Sequence, residues 1–140
     1  MQIRSFQLSD YRSVANLLEE VLSEECCEET LSAFARQLSW DSDLVLVAES
    51  AGQVAGVLIG TIDKQKGYVY RIAVYEQYRG QGIGRALMES MGNRFRQRKV
   101  QKMLIALDRH NEYLRPFYET LGVSVSDFAR LKQPLSIVAG

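Results

Sequence analysis

Ile72-Ala73-Val74-Tyr75-Glu76-Gln77-Tyr78-Arg79-Gly80-Gln81-Gly82-Ile83-Gly84-Arg85-Ala86-Leu87 is the stretch whose reading decides the fold. An apolar strand end runs into a loop with glycine at every second position. The loop opens directly onto a helix in which Ile83, Leu87, Met91 and Phe95 recur every fourth residue, opposed by Arg85, Glu89 and Arg96. Glycines leave backbone N–H groups unencumbered, and at the positive end of a helix several of them can converge on one anion. Composition alone allows two readings, a cradle for a pyrophosphate or a glycine-rich turn from strand to helix. Rival phosphate loops fail on spacing. A dinucleotide fingerprint needs a further glycine three positions on, where Arg85 and Leu87 stand, and a P-loop needs Gly-Lys-Ser/Thr, which does not occur.

Working outward, Ile3 to Gln7 reads as a first strand, and Ser9 or Asp10 can cap a helix with Val14, Leu17, Leu18, Val21 and Leu22 on one face. The acidic stretch Ser23 to Thr30 is expected to interrupt the pattern. Leu31, Phe34, Ala35 and Leu38 then resume a stripe that ends near Trp40. Leu44 to Glu49 and Val54 to Ile62 read as antiparallel strands joined at Ala51-Gly52, and Asp63 to Gly67 turns into a third, Tyr68 to Tyr75. Beyond the central helix, Met103 to Asp108 is a further strand. Asn111 can cap a last helix that Gly122 stops, and Pro116 predicts a bent or late start to it. Val123 to Ala129 is short strand material, and Arg130 to Pro134 is too irregular to place. Antiparallel strands followed by helical crossovers predict an α/β layer with a mixed sheet in a single domain, 1–140.

Lysine plus arginine and aspartate plus glutamate balance at 17 each, so no global field draws the chain toward nucleic acid or anionic lipid. Arg94, Arg96, Arg98 and Lys99 read as cations opposing the negative end of the central helix rather than as a nucleic-acid patch. No stretch has the length or apolarity of a membrane span or a secretory leader, which predicts a soluble, cytoplasmic protein. Cys26 and Cys27 are adjacent and are expected to be free thiols. With His110 far along the chain from them, no metal-ligand spacing exists and no metal is expected.

Arg79-Gly80-Gln81-Gly82-Ile83-Gly84 resembles the Arg/Gln-x-x-Gly-x-Gly/Ala loop of the GCN5-related N-acetyltransferase (GNAT) superfamily, and it follows an Ile-Ala-Val strand end as that loop does. Asn111-x-x-Leu114-x-Pro116-Phe117-Tyr118-x-x-Leu121-Gly122 is similar to a second family segment, departing from it at Leu114 and at Val123. The resemblance covers Ile3 to about Gly122. It implies a mixed, mostly antiparallel central sheet flanked by helices on both faces, with the fourth and fifth strands splayed apart. It also implies acetyl-CoA as acyl donor. The pantetheine arm would pair with Ile72, Ala73 and Val74 as an added strand. Amides of Arg79, Gly80, Gln81, Gly82, Ile83, Gly84 and Arg85 would hold the pyrophosphate, and Asn111 is assigned to the cofactor site as well. For the Arg85 side chain, a phosphate contact and a plain exposed helix position are both open.

An amine attacking a thioester needs a positioned carbonyl, a donor for the developing oxyanion and a proton for the leaving thiolate. A backbone N–H near Val74 could serve the oxyanion. Tyr118 falls on the family's general-acid tyrosine; the competing reading is a packed aromatic beside Phe117. Reference pKa values of about 10 for tyrosine and about 8.5 for a thiol make the transfer workable. Gly67 to Val74 holds no carboxylate, and Ala106 stands where some members carry a glutamate, so the sheet offers no base. At pH 7 deprotonation costs a lysine side chain about 4.6 kcal/mol but an α-amino group only about 1.1. A low-pKa amine follows as the expected acceptor, either a peptide N-terminus or an amino-acid-like small molecule. Glu24, Glu25, Glu28 and Glu29 lie where the family borders the acceptor entrance, but solvated helix ends are the better reading. Competing readings are a non-catalytic acyl-CoA-binding sensor or scaffold and an unrelated nucleotide binder. The chain is expected to be a monomer or a homodimer, the tail being able to pair across a dimer edge.

Overall fold

The computed structural model describes residues 1–130. Among these, six strands form one sheet in sequential order: β1 (Gln2–Ser5), β2 (Val45–Ser50), β3 (Gln53–Asp63), β4 (Lys66–Val74), β5 (Lys102–Leu107) and β6 (Phe128–Arg130). β1 to β4 run antiparallel to their neighbours, while β4–β5 and β5–β6 are parallel, so the sheet is mixed and mostly antiparallel. Helices α1 (Tyr11–Val21) and α2 (Glu24–Asp41) cover one face; α3 (Ile83–Gln97) and the short α4 (Arg115–Thr120) cover the other. Period-2 alternation divides the strands between the two layers. Leu46 and Ala48 pack with Leu87, Met91 and Phe95, whereas Val45 and Val47 pack with Leu17, Leu18 and Phe34.

The fourth and fifth strands splay as expected. Lys66 to Val69 pair with Lys102 to Ile105, and there the pairing stops, although β4 runs on to Val74. Opposite β3, Ile59 faces Arg71 and Gly60 faces Val69, which leaves Tyr70 as an extra residue in β4. That bulge turns β4 away from β5 where their ladder ends.

The acidic stretch does not interrupt a helix. Leu22 is extended, Ser23 Oγ accepts from Cys26 N at 3.2 Å, and α2 begins at Glu24, so Glu24 and Glu25 fill the first turn. Carboxylates suit the positive end of a helix. Asp10 is not a side-chain cap for α1 either. Its carboxylate takes a bidentate pair from Arg4 at 2.8 and 3.0 Å and the N–H of Gln7 at 2.8 Å. Pro116 acts as its chemistry requires, lying in the first turn of α4 after a tighter turn over Glu112–Leu114. Gly122 closes the helix at φ +88°. Among the described residues of the tail, Phe128–Arg130 forms a strand; the rest of the Arg130 to Pro134 stretch, and with it the expected pairing of the tail across a dimer edge, lies outside the described residues.

Candidate functional site

The splay leaves β4 with a one-sided ladder. Tyr75 N donates to Ala55 O at 3.1 Å, so in the antiparallel alternation Ala73 also turns its N–H and C=O toward β3, while Ile72 and Val74 turn theirs away. Two of the three strand residues expected to meet the cofactor thus turn their backbone groups outward, and Ala73 offers only its surface. Arg79 Nε lies 3.0 Å from the outward carbonyl of Val74, tying the loop to the strand end.

Beyond β4 the chain makes a tight turn over Glu76–Tyr78 and enters the glycine loop. Gly80 and Gly82 stand at φ +78° and +81°, and an added Cβ at either would meet nothing within 4 Å. Backbone conformation, not space, demands glycine at both. Gly84 is there for space: a Cβ would come within 2.8 Å of Phe117 Cζ, so its absence lets α3 and α4 close on each other. Ala86 N makes the first intrahelical bond, to Gly82 O at 3.0 Å, and no side chain caps α3. The N–H groups of Ile83, Gly84 and Arg85 therefore point out of the helix end without an intrahelical acceptor.

These parts enclose a cleft of about 440 Å³. It is lined by Ile72, Ala73, Val74, Arg79, Gly80, Gly82, Ile83, Gly84 and Arg85, which brings together most of the residues singled out by sequence. Gln81 is exposed and is not part of the lining. Asn111 is 3 % exposed and is spent inside the fold, its Oδ1 accepting from Asp108 N at 2.8 Å and its Nδ2 donating to Ala106 O at 2.9 Å. It braces the turn after β5. The cleft's other wall was not legible in the sequence: Val21 at the end of α1, and Tyr113, Leu114, Phe117 and Leu121 around α4.

Tyr118 lies deeper, at 0 % exposure in the core that α3 shares with the sheet, and its hydroxyl has no hydrogen-bond partner. Burial pushes the phenol above its ordinary pKa, with the Arg71 cation pulling the other way. The group is therefore held protonated. Arg71 went unremarked in the sequence, although a lone arginine in the apolar run Val69 to Val74 was a signal. It is 2 % exposed, donating from Nε to Thr30 Oγ1 at 3.0 Å and from Nη1 to Asp108 Oδ2 at 3.0 Å. On the acidic side, Glu25 pairs with Arg109, and Glu29 lies 3.5 Å from Arg109 and 3.1 Å from His110 Nε2. Half of that acidic segment is thus engaged by the turn after β5. Cys26 and Cys27 are buried free thiols.

A bent main chain with free donors at a helix end, beside a strand with an open edge, fits a diphosphate-bearing, amide-containing ligand. Known proteins point the same way. The sequence profile of the acetyltransferase (GNAT) family matches residues 11–123. Acetyltransferase SG1711 of Sodalis glossinidius is 32% identical over 127 residues, covering 91% of this chain and 89% of the relative. Among solved structures, the PaiA N-acetyltransferase of Thermoplasma acidophilum, in complex with coenzyme A, superposes with a TM-score of 0.67 at 18% identity, over 85% of this chain and 86% of that one. The ribosomal-protein-S18-alanine N-acetyltransferase of Escherichia coli does so with a TM-score of 0.67 at 22% identity, over 86% and 76%. These two share the fold. The profile match over most of its length and the 32% identical relative lead to the conclusion that this chain belongs to the GNAT acetyltransferase family.

Proposed function

We propose that this protein transfers an acetyl group from acetyl-CoA to a primary amine, the acceptor being a peptide N-terminus or an amino-acid-like small molecule. One observation carries the reading. The N–H groups at the start of α3 and the outward backbone of Ile72 and Val74 line a single cleft, whose far wall includes Phe117, the residue before Tyr118. Acetyl-CoA, consumed in each turnover, supplies an activated acyl carbon and a thiolate leaving group.

The chain's own residues do the rest. Amides of Gly82, Ile83, Gly84 and Arg85 hold the diphosphate at the positive helix end, with the Arg79 and Arg85 guanidinium groups beside them. Ile72 and Val74 orient the pantetheine as an added strand. Tyr118, protonated at neutral pH though burial makes it a weaker acid than an ordinary tyrosine, is the donor assigned to the departing sulfur. Neither β4 nor β5 carries a carboxylate, so the chain favours an amine that is already neutral in an appreciable fraction at pH 7. No helix among the described residues is long and apolar enough to cross a membrane.

Thiol release is measured with acetyl-CoA and paired acceptors, an α-amine and a lysine side-chain amine, across pH. Acceptor-dependent release that is faster on the α-amine at neutral pH is the expected result. Faster acetylation of the lysine amine would overturn the acceptor class, and saturable binding without acceptor-dependent release would make the chain a sensor.

A further inference from the structure

Glu25 and Glu29 stand one turn apart on α2 and so present their carboxylates on one face of the helix. The turn after β5 brings His110 against that face. One oxygen from each carboxylate and a ring nitrogen of His110 all lie within 4.8 Å of one another. Spacing along the chain hides this group, because the histidine comes from a segment far beyond the two glutamates and only the fold unites them.

Contacts within the cluster leave ligand atoms over. Arg109 takes Oε1 of Glu25 and lies 3.5 Å from Oε1 of Glu29. The other oxygen of Glu29, Oε2, faces His110 Nε2 at 3.1 Å, yet the two are not aligned for a hydrogen bond, and both are buried without such a partner. The His110 side chain is only 10 % exposed. A buried imidazole nitrogen turned toward a carboxylate without bonding to it has the geometry of two ligands on one ion: metal bonds of 2.0–2.2 Å at a tetrahedral angle set neighbouring nitrogen and oxygen ligands about 3.3 Å apart. Glu25, 61 % exposed, leaves the cluster open to solvent on one side, which supplies an entry path and room for a water ligand. Charge favours a cation as well. Glu24 and Glu28 add two exposed carboxylates on the same two turns, more than the roughly half a positive charge of the helix start.

We propose that Glu25, Glu29 and His110 form a binding site for a divalent transition-metal ion such as Zn²⁺. An imidazole with two carboxylates is a donor set that such ions accept, whereas Ca²⁺ and Mg²⁺ prefer oxygen alone. Water completes the tetrahedron, and the two carboxylates balance the two positive charges of the ion. Arg109 is the competitor. Its side chain is 68 % exposed and ion pairs at that exposure contribute little, so the guanidinium moves into water as the ion enters. The ion ties the first two turns of α2 to the turn after β5, where the His110 N–H holds Asp108 at 2.9 Å and Asp108 in turn holds Arg71. It acts as a clip between two segments and carries no step of acyl transfer, so the site stands independently of that reading.

Zinc chloride titrated by calorimetry into the full chain, first washed with chelator, should bind as one ion per chain. Affinity should fall by about tenfold or more in His110→Gln and in Glu25→Gln. Arg109→Ala should instead bind more tightly, its competing cation being gone. Zn²⁺ at about a hundred times Kd should raise the melting temperature by about 8 °C in the wild type, and the same concentration by about half that or less in Glu25→Gln. Co²⁺ in place of Zn²⁺ reports the ligands directly: the visible bands of a four-coordinate nitrogen and oxygen site are expected, without the near-ultraviolet charge transfer that thiolate ligation by Cys26 or Cys27 would add. No saturable binding by the wild type at about 1 mM Zn²⁺ overturns the proposal. Affinity left intact by Glu25→Gln, affinity unchanged or weaker in Arg109→Ala, or a thiolate band with Co²⁺ would each place the ion elsewhere and overturn it too. Glu25 is largely exposed, so its variant keeps the test decisive even where His110→Gln does not fold.

Discussion

Gly82→Ala separates the backbone's role in the cleft from its role in stability. Gly82 sits at φ +81°, ψ 11°, with no atom within 4 Å of where a Cβ would stand, so substitution brings no clash and acts through conformation alone. An L-residue in the left-handed region costs about 1–2 kcal/mol. Lower entropy of the unfolded chain returns about 0.4–1 kcal/mol. The net, on the order of 1 kcal/mol, lowers the melting temperature of a chain this size by about 3 °C. Gly52 supplies the control: it stands at φ +77° in the β2–β3 turn, also with nothing within 4 Å, and it does not line the cleft. The two alanine variants should therefore lose similar stability by thermal denaturation. Only Gly82→Ala should lose coenzyme A affinity by calorimetry. Its strain is relieved by rotating the peptide units that aim the Ile83 and Gly84 N–H groups, and each donor lost to a charged phosphate costs about 1.5–3 kcal/mol, or tenfold and more. Wild-type affinity in Gly82→Ala, or an equal loss in both variants, would refute the assignment of this loop as the diphosphate cradle.

Tyr118→Phe removes a buried hydroxyl without a partner, so stability should stay the same or rise by up to on the order of 1 kcal/mol, while turnover falls about 10²–10⁴-fold in a thiol-release assay. Because burial raises the phenol pKa in the fold, its contribution is present in full below the ordinary value of about 10 and is lost as pH rises above it. Denaturant titrations should accordingly show the phenylalanine variant losing less stability than wild type above about pH 10. Asn111→Ala leaves Ala106 O and Asp108 N without their partner in a buried turn and should cost on the order of 2–4 kcal/mol by urea unfolding. Asp10→Asn should cost on the order of 2 kcal/mol at pH 7, where Arg4 and the Gln7 N–H favour the carboxylate. The Arg4 hydrogen bond holds that pKa below its ordinary value, so the difference is in force above about pH 4 and fades as acid protonates the wild-type group.

Local pattern settled the local elements. Fourfold recurrence from Ile83 to Phe95 specified α3, β-branched runs with turn residues between them specified β2 to β4, and the alternate glycines announced a left-handed loop at a helix start. Each of these is a short-range steric or periodic constraint, which a sequence states outright. Where the reading failed, a short-range rule had a competitor. Acidic residues looked like a helix break, but Ser23 turned them into the first turn of α2. Asn111 suits a cap or a ligand contact equally well until the turn after β5 folds back and takes both ends of its amide.

What no local pattern could supply is the bulge at Tyr70 that parts β4 from β5, and the meeting of Arg71, Asp108 and Thr30 around that gap. These residues lie far apart in the chain. Whether each is a solvated side chain or a satisfied partner depends on which of the others the sheet brings beside it, and only chain topology decides that. The sequence alone therefore specified the cradle, which is made of consecutive backbone. Tertiary structure decided the splay and the buried ion pair beside the cleft, because strand pairing, burial and charge pairing are properties of neighbours in space.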